Sequence, residues 1–271
     1  MSSNTGLVTI GDAEIEVERR GAGKPLLLLA GEEMLEREAP FVDDLAAGFE
    51  VIMPAPPGFG ASSRPDWITS PDDIAYIYLS LLDMLNLDEV AVIGCSLGGW
   101  IAAELATKDD GRLSRVVLVD PYGIKLGGAA DRDITDIWQL SPQKVAALKW
   151  RDPEKAKRDT ATMTDAQLGM AARNLESFAR FCWEPYMHNP KLKHRLGRIG
   201  VSTLLVWGDK DGIVTPDYGR GYRALIPGAT LTVIPEAGHY PHLERPDAFL
   251  TAVGDFLQAP RRGIAAQGDK R

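Results

Sequence analysis

Short apolar runs separated by longer mixed stretches set the pattern of this chain. Residues 25–30 read Pro-Leu-Leu-Leu-Leu-Ala, residues 90–93 read Val-Ala-Val-Ile and residues 116–119 read Val-Val-Leu-Val. Runs this short and this continuously apolar predict strands buried on both faces, as in the middle of a parallel sheet. Strands are expected at 25–30, 51–54, 89–93, 116–120, 203–207 and 231–234. The chain opens differently: residues 7–10 and 14–18 flank Gly11 and Asp12, and the alternation in the second arm predicts an antiparallel hairpin. Between the strands, apolar positions recur at helical spacing. Ile74, Ile77, Leu81, Leu82 and Leu85 follow Ser70, Pro71, Asp72 and Asp73. That start combines a capping serine, proline at the first helical position and acids at the positive end of the dipole. A helix is therefore expected over 71–87, with others near 40–49, directly after Ser96 and over 241–257. Strands alternating with helices predict an α/β fold: a mostly parallel central sheet with helices on both faces.

The alternation stops once. Between Asp120 and Thr203 there is no strand signal, only helix starts: Ser141 with Pro142, Asp152 with Pro153, Asn189 with Pro190, and a capping-box pattern of Thr164 with Gln167. An insertion of roughly eighty residues without strands is expected to be a helical cap or binding element. The division expected is a core of 1–121 and 201–258, a helical cap of 122–200 and a polar, disordered tail of 259–271.

Composition narrows the chemistry. With 38 acidic against 30 Lys and Arg residues, the net charge of −8 opposes binding to a nucleic-acid backbone or an anionic membrane. Two cysteines, Cys95 and Cys182, exclude a disulfide framework and a multi-cysteine zinc site. The four histidines form no HExxH pair, so no metal is expected. The amino-terminal residues have no signal-peptide pattern and no apolar run has the length of a membrane span, which makes the cytoplasm the expected location.

The chemistry is concentrated where the run at 90–93 ends in Gly94-Cys95-Ser96-Leu97-Gly98. A serine at a tight strand-to-helix turn needs small residues two before and two after it, and Gly94 and Gly98 meet that need. With 27 glycines in 271 residues, a given serine has only about a one per cent chance of this flanking pattern. The helix that follows directs unpaired N–H groups at an oxygen bound beside Ser96, Leu97 supplying the nearest. Serine becomes a nucleophile only when a base takes its proton and an anion holds that base. His239 follows the last strand, on the same carboxyl edge of the sheet as Ser96, and is the expected base. His242, at a helix start, is expected to cap or pack, and His188 and His194 belong to the insertion. For the acid, Asp211 in Gly208-Asp209-Lys210-Asp211-Gly212 is preferred, because it sits late enough in its loop to turn back to His239; Asp209 and Asp120 remain alternatives.

Four motifs in this order, residues 57–62 (Pro-Gly-Phe-Gly-Ala-Ser), 94–99, 208–216 and Gly238-His239, resemble the α/β-hydrolase-fold superfamily, lidded serine hydrolases such as bacterial carboxylesterases. The resemblance spans nearly all of residues 7–257. It implies a Ser96, Asp211, His239 hydrolase without a cofactor, and an oxyanion hole formed by the N–H of Leu97 and that of a residue after the third strand. Matching that position gives Glu32. The chain departs from the pattern there: the usual His-Gly is replaced by Ala30-Gly31, followed by Glu32 and Glu33, and Ala55 stands where relatives often carry an aspartate.

The first reading of function is hydrolysis of a small neutral carboxylic ester through an acyl–Ser96 intermediate. The alternatives are carbon–carbon bond hydrolysis of a diketone-like substrate and a non-catalytic ligand-binding receptor of the same fold. In each, the partner is a small molecule. Phe178, Phe181, Trp183, Tyr186 and Met187 offer an aromatic cluster for a pocket wall or for the packing of the insertion. Glu32 and Glu33 are expected to disfavour anionic substrates, since two like charges at 4 Å repel by about 1 kcal/mol in water and about 4 at an effective dielectric of 20.

Overall fold

A computed structural model describes residues 3–128, 130–156 and 160–259. Its centre is an eight-stranded sheet: β1 (Ser3–Ile10), β2 (Ala13–Gly21), β3 (Lys24–Leu29), β4 (Phe49–Pro54), β5 (Val90–Cys95), β6 (Leu113–Val119), β7 (Ser202–Gly208) and β8 (Thr230–Ile234). The spatial order is β1-β2-β4-β3-β5-β6-β7-β8. The first two strands pair antiparallel, as does β2 with β4, and from β4 through β8 every pairing is parallel. Parallel strands need crossovers, and the helices that make them cover the sheet on both sides.

The continuous apolar runs are explained by that double coverage. Leu27, Leu29, Val92 and Leu118 face one core with α2 (Pro71–Met84), α3 (Leu97–Thr107) and α7 (Pro216–Ala224). Their neighbours Leu26, Leu28, Ile93 and Val117 face the other, with α1 (Phe41–Ala46) and α9 (Pro246–Gln258). Ser70 caps α2 in a full capping box with Asp73.

Between β6 and β7 lie α4 (Pro142–Lys149), α5 (Asp165–Cys182) and α6 (Leu192–Arg195), with short 3₁₀ turns. The expected starts at Ser141 and Thr164 carry their caps. Asp152 with Pro153 begins only a 3₁₀ turn, and the helix expected at Asn189 with Pro190 begins at Leu192 instead. The expected helix over 241–257 is two: α8 (Pro241–Glu244) and α9, separated by Arg245 at φ −135°. Pro246 clashes with a helical residue before it, so the chain breaks there. Residues 260–271 of the expected tail lie outside the described residues. No described helix is long and apolar enough to cross a membrane.

Candidate active site

Ser96 sits in the sharp turn between β5 and α3 with φ 53° and ψ −113°, a conformation that costs a non-glycine residue on the order of 1–3 kcal/mol. The flanking glycines make the turn possible. A Cβ at Gly98 would run into the carbonyl oxygens of Leu29 and Ala30, and one at Gly94 would strike the carbonyl of Gly98 and stand 2.7 Å from the Cβ of Ala102. Strand, serine and helix are thereby pressed against the end of β3.

Three loops at the carboxyl edge converge on this turn. Ser96 Oγ lies 2.7 Å from His239 Nε2, and His239 Nδ1 lies 2.7 Å from Asp211 Oδ2. A carboxylate only accepts, so Nδ1 carries the hydrogen, and in the neutral ring Nε2 keeps its lone pair towards Ser96. The other oxygen of Asp211 accepts from the N–H groups of Ile213 at 2.7 Å and Val214 at 3.1 Å, which fixes the carboxylate. All three side chains are buried. Both loops are anchored by the end of α4: Leu148 C=O accepts from Gly212 N–H and Lys149 C=O from His239 N–H. A helix end leaves such carbonyls without partners of its own. The insertion thus holds the Asp211 and His239 loops in register.

The alternatives for the acid do other things. Asp209 accepts from the Ala237 N–H and pairs with Lys210, fixing the turn. Asp120 is buried beside the pair, with oxygen and nitrogen atoms of Asp120, Asp211 and His239 all within 4.8 Å of one another. Its Oδ1 accepts from Gly208 N–H. Burial and then the Asp211 carboxylate push the Asp120 carboxyl well above the ordinary range. A second buried trio with three donor atoms that close is Glu36, Cys95 and His242, in which His242 Nε2 bonds Glu36 Oε1 at 3.0 Å. His242 packs there against Phe41 and Phe249 and does not cap a helix.

In the sequence Glu32 is expected to serve the oxyanion through its N–H and, with Glu33, to act by charge against anionic substrates; the structure adds that its carboxylate meets Ser96 itself. The carboxylate is buried, with Oε2 accepting from Ser96 Oγ at 2.8 Å. Oε1 accepts from Lys149 Nζ at 2.5 Å, Tyr122 Oη at 3.3 Å and Tyr240 Oη at 3.4 Å. Lys149 further bonds Glu33 at 2.9 Å and Tyr240 at 2.9 Å. Burial, the largest single influence, would raise the Glu32 carboxyl, but the Lys149 ammonium, His239 and the hydrogen bond from Lys149 together outweigh it and bring it down to about 2. Burial would likewise lower the Lys149 ammonium, and the two glutamates raise it above its ordinary value instead. Lys149 was not singled out in the sequence. Its only signal is a lysine at the end of an inserted helix, 117 residues from its partner.

Two outcomes follow. Lys149→Met leaves a buried carboxylate uncompensated and is expected to lower stability by about 3–5 kcal/mol, read as the urea midpoint; Glu32→Gln in the same chain should restore much of the loss. A folded-state pKa below the ordinary 4.5 means that Glu32 contributes stability above pH 4.5 and that this contribution fades as pH falls towards about 2. Over that window, stability measured against pH should fall less steeply in Glu32→Gln than in the wild type.

Beside this cluster a cavity of about 480 Å³ is lined by Glu32, Glu33, Trp138, Lys149, Trp150 and Phe178 among others. Of the expected aromatic cluster, Phe178 lines it. Phe181 and Met187 are core, Tyr186 bonds the backbone of Thr135 and Ile137, and Trp183 is 62% exposed.

Residues 26–252 match the Alpha/beta hydrolase family. Over 230 residues the chain is 29% identical to the 2-hydroxy-6-oxononadienedioate/2-hydroxy-6-oxononatrienedioate hydrolase 1 of Pseudomonas putida, covering 78% of each. It is 26% identical to the 2-hydroxy-6-oxo-6-phenylhexa-2,4-dienoate hydrolase of Burkholderia cepacia, over 94% of this chain and 97% of that one. Among solved structures, a membrane phospholipase A described as a bacterial virulence factor superposes with a TM-score of 0.78 at 22% identity, over 94% of this chain and 86% of that one, a likeness of fold. With a match that spans the sheet from β3 to α9, the chain belongs to the alpha/beta hydrolase family.

Proposed function

We propose that the chain hydrolyses a carbon–carbon bond beside the ketone of a small diketone-like compound, with Ser96 as nucleophile. The observation that carries this reading is the pair of relatives that match most of the chain. The compounds in their names carry a 6-oxo and a 2-hydroxy group joined through a diene and contain no ester or amide. A hydrolase acting on them cleaves next to the ketone. The hydrogen-bonded series Ser96, His239 and Asp211 supports the same chemistry.

In this reading His239 Nε2 takes the Ser96 proton as Oγ attacks the ketone carbon, and Asp211 stabilises the imidazolium. The oxyanion is held by the N–H groups of Leu97 and Glu32. Collapse breaks the carbon–carbon bond, the departing carbon takes the proton from His239, and an acyl group stays on Ser96. Water, deprotonated by His239, then releases the acid and restores the serine. The inserted segment acts as a cap over the cavity, and no cofactor takes part.

Hydrolysis of a neutral carboxylic ester is the second reading, favoured by the aromatic wall of the cavity and the anion already beside Ser96. The two are separated by giving purified protein 2-hydroxy-6-oxo-6-phenylhexa-2,4-dienoate and, separately, a neutral aryl ester such as phenyl butyrate. Carbon–carbon hydrolysis predicts benzoate as a product from the first, with the higher kcat/KM. Ester turnover with no benzoate would select the second.

A further inference from the structure

We infer that the Glu32 carboxylate is a specificity-determining group: among the compounds that Ser96 attacks, it favours those that carry a hydrogen-bond donor next to the carbonyl and disfavours those that carry a carboxylate there. This rests on the reading that Ser96 attacks a carbonyl. It goes beyond that reading by ranking substrates by the atom beside the carbonyl; the phenylhexadienoate, whose ketone is flanked by carbon alone, makes no such bond to Glu32.

Oε1 of Glu32 already has Lys149, Tyr122 and Tyr240. Burial and the nearby Glu32 raise both phenols, so they keep the protons that they donate. Among the described residues the only side chain donating to Oε2 is Ser96, at 2.8 Å. Ser96 has a single hydroxyl hydrogen, and His239 Nε2 competes for it at 2.7 Å. When the serine attacks, that hydrogen leaves for His239. The carboxylate stays charged throughout and faces the reacting atoms. A buried carboxylate oxygen left without its donor is costly, and Lys149 cannot turn to Oε2 while it holds Oε1, Glu33 and Tyr240. A hydroxyl, enol or N–H on the substrate atom beside the carbonyl supplies what is missing. A carboxylate at that atom meets Glu32 with like charge, and the local sum of Glu32, Glu33 and Lys149 is already −1.

Three phenyl esters test this, each rate divided by its rate of alkaline hydrolysis: phenyl hydroxyacetate with a donor beside the carbonyl, phenyl methoxyacetate without one, and the monophenyl ester of malonic acid with a carboxylate there. The wild type should favour the hydroxyacetate over the methoxyacetate by about tenfold or more in kcat/KM, with the malonate last. Glu32→Ala should bring the first ratio towards one. Glu32→Gln, which keeps size and an acceptor and guards against a misfolded variant, should narrow the malonate gap by about tenfold. Wild-type turnover of all three without preference, or ratios unchanged in both variants, would overturn the assignment and leave Ser96 as the nucleophile. Refusal of the hydroxyacetate while a phosphonate still labels Ser96 overturns it too. Refusal of all three with no labelling removes the reading of Ser96, and this inference with it.

Discussion

Ser96→Ala should lower turnover on the order of 10⁶-fold, the scale seen when a serine hydrolase loses its nucleophile, with an unfolding midpoint close to that of the wild type. The first expectation follows from the chemistry: without Oγ, His239 has no group to activate. The second follows from the geometry. One buried oxygen is removed from a turn already held by Gly94, Gly98 and the end of β3. Oε2 of Glu32 loses its serine donor in the same variant, so a small destabilisation is expected, not a collapse. Steady-state rates on the dienoate and a thermal melt measure the two. A variant that keeps more than about one hundredth of the activity would show that Ser96 does not carry the reaction.

Asp211→Asn is expected to cost about 10⁴-fold in kcat. The amide can still accept from Ile213 and Val214 through its oxygen. Its NH₂ then faces His239 Nδ1, which favours the tautomer with the hydrogen on Nε2, and that tautomer cannot accept from Ser96. Asp209→Asn should stay within about twofold of the wild type, because its contacts lie in the turn with Ala237 and Lys210. The reverse ranking would move the acid to the other side of the loop. These two variants also separate the readings that spacing alone left open.

Much of the frame could be read from the chain because it rests on local rules. Continuous leucine and valine runs mean a strand covered on both faces, and the structure buries alternate residues of β3 in two separate cores. The turn at Ser96 was legible because only small residues fit where Gly94 and Gly98 stand. Ser70 and Thr164 announced their helices through caps that are local by nature. The break at Arg245 was also local, and weighing Pro246 against the helical period would have found it.

What could not be read is long-range. Nothing near Glu32 in the sequence says that its side chain turns inward, since the position is in a loop without periodicity. Its counter-charge comes from α4, whose apolar spacing is too weak to say which face is buried. Only the docking of that helix end on the loops of Gly212 and His239 brings Lys149 to the carboxylate. Trp183 shows the opposite failure: its neighbours grouped it with a pocket wall or with the packing of the insertion, yet it is exposed. A residue's chemistry shows at once in a sequence, but its direction depends on contacts made by other elements.

The account turns on Ser96 as the one activated nucleophile, and labelling tests it most directly. The purified protein is treated with an aryl phosphonate directed at serine hydrolases, digested, and mapped by tandem mass spectrometry, beside Ser96→Ala treated in the same way. One adduct on Ser96, lost in the variant together with turnover, is the predicted result; an adduct on another residue, with turnover intact in Ser96→Ala, would contradict it.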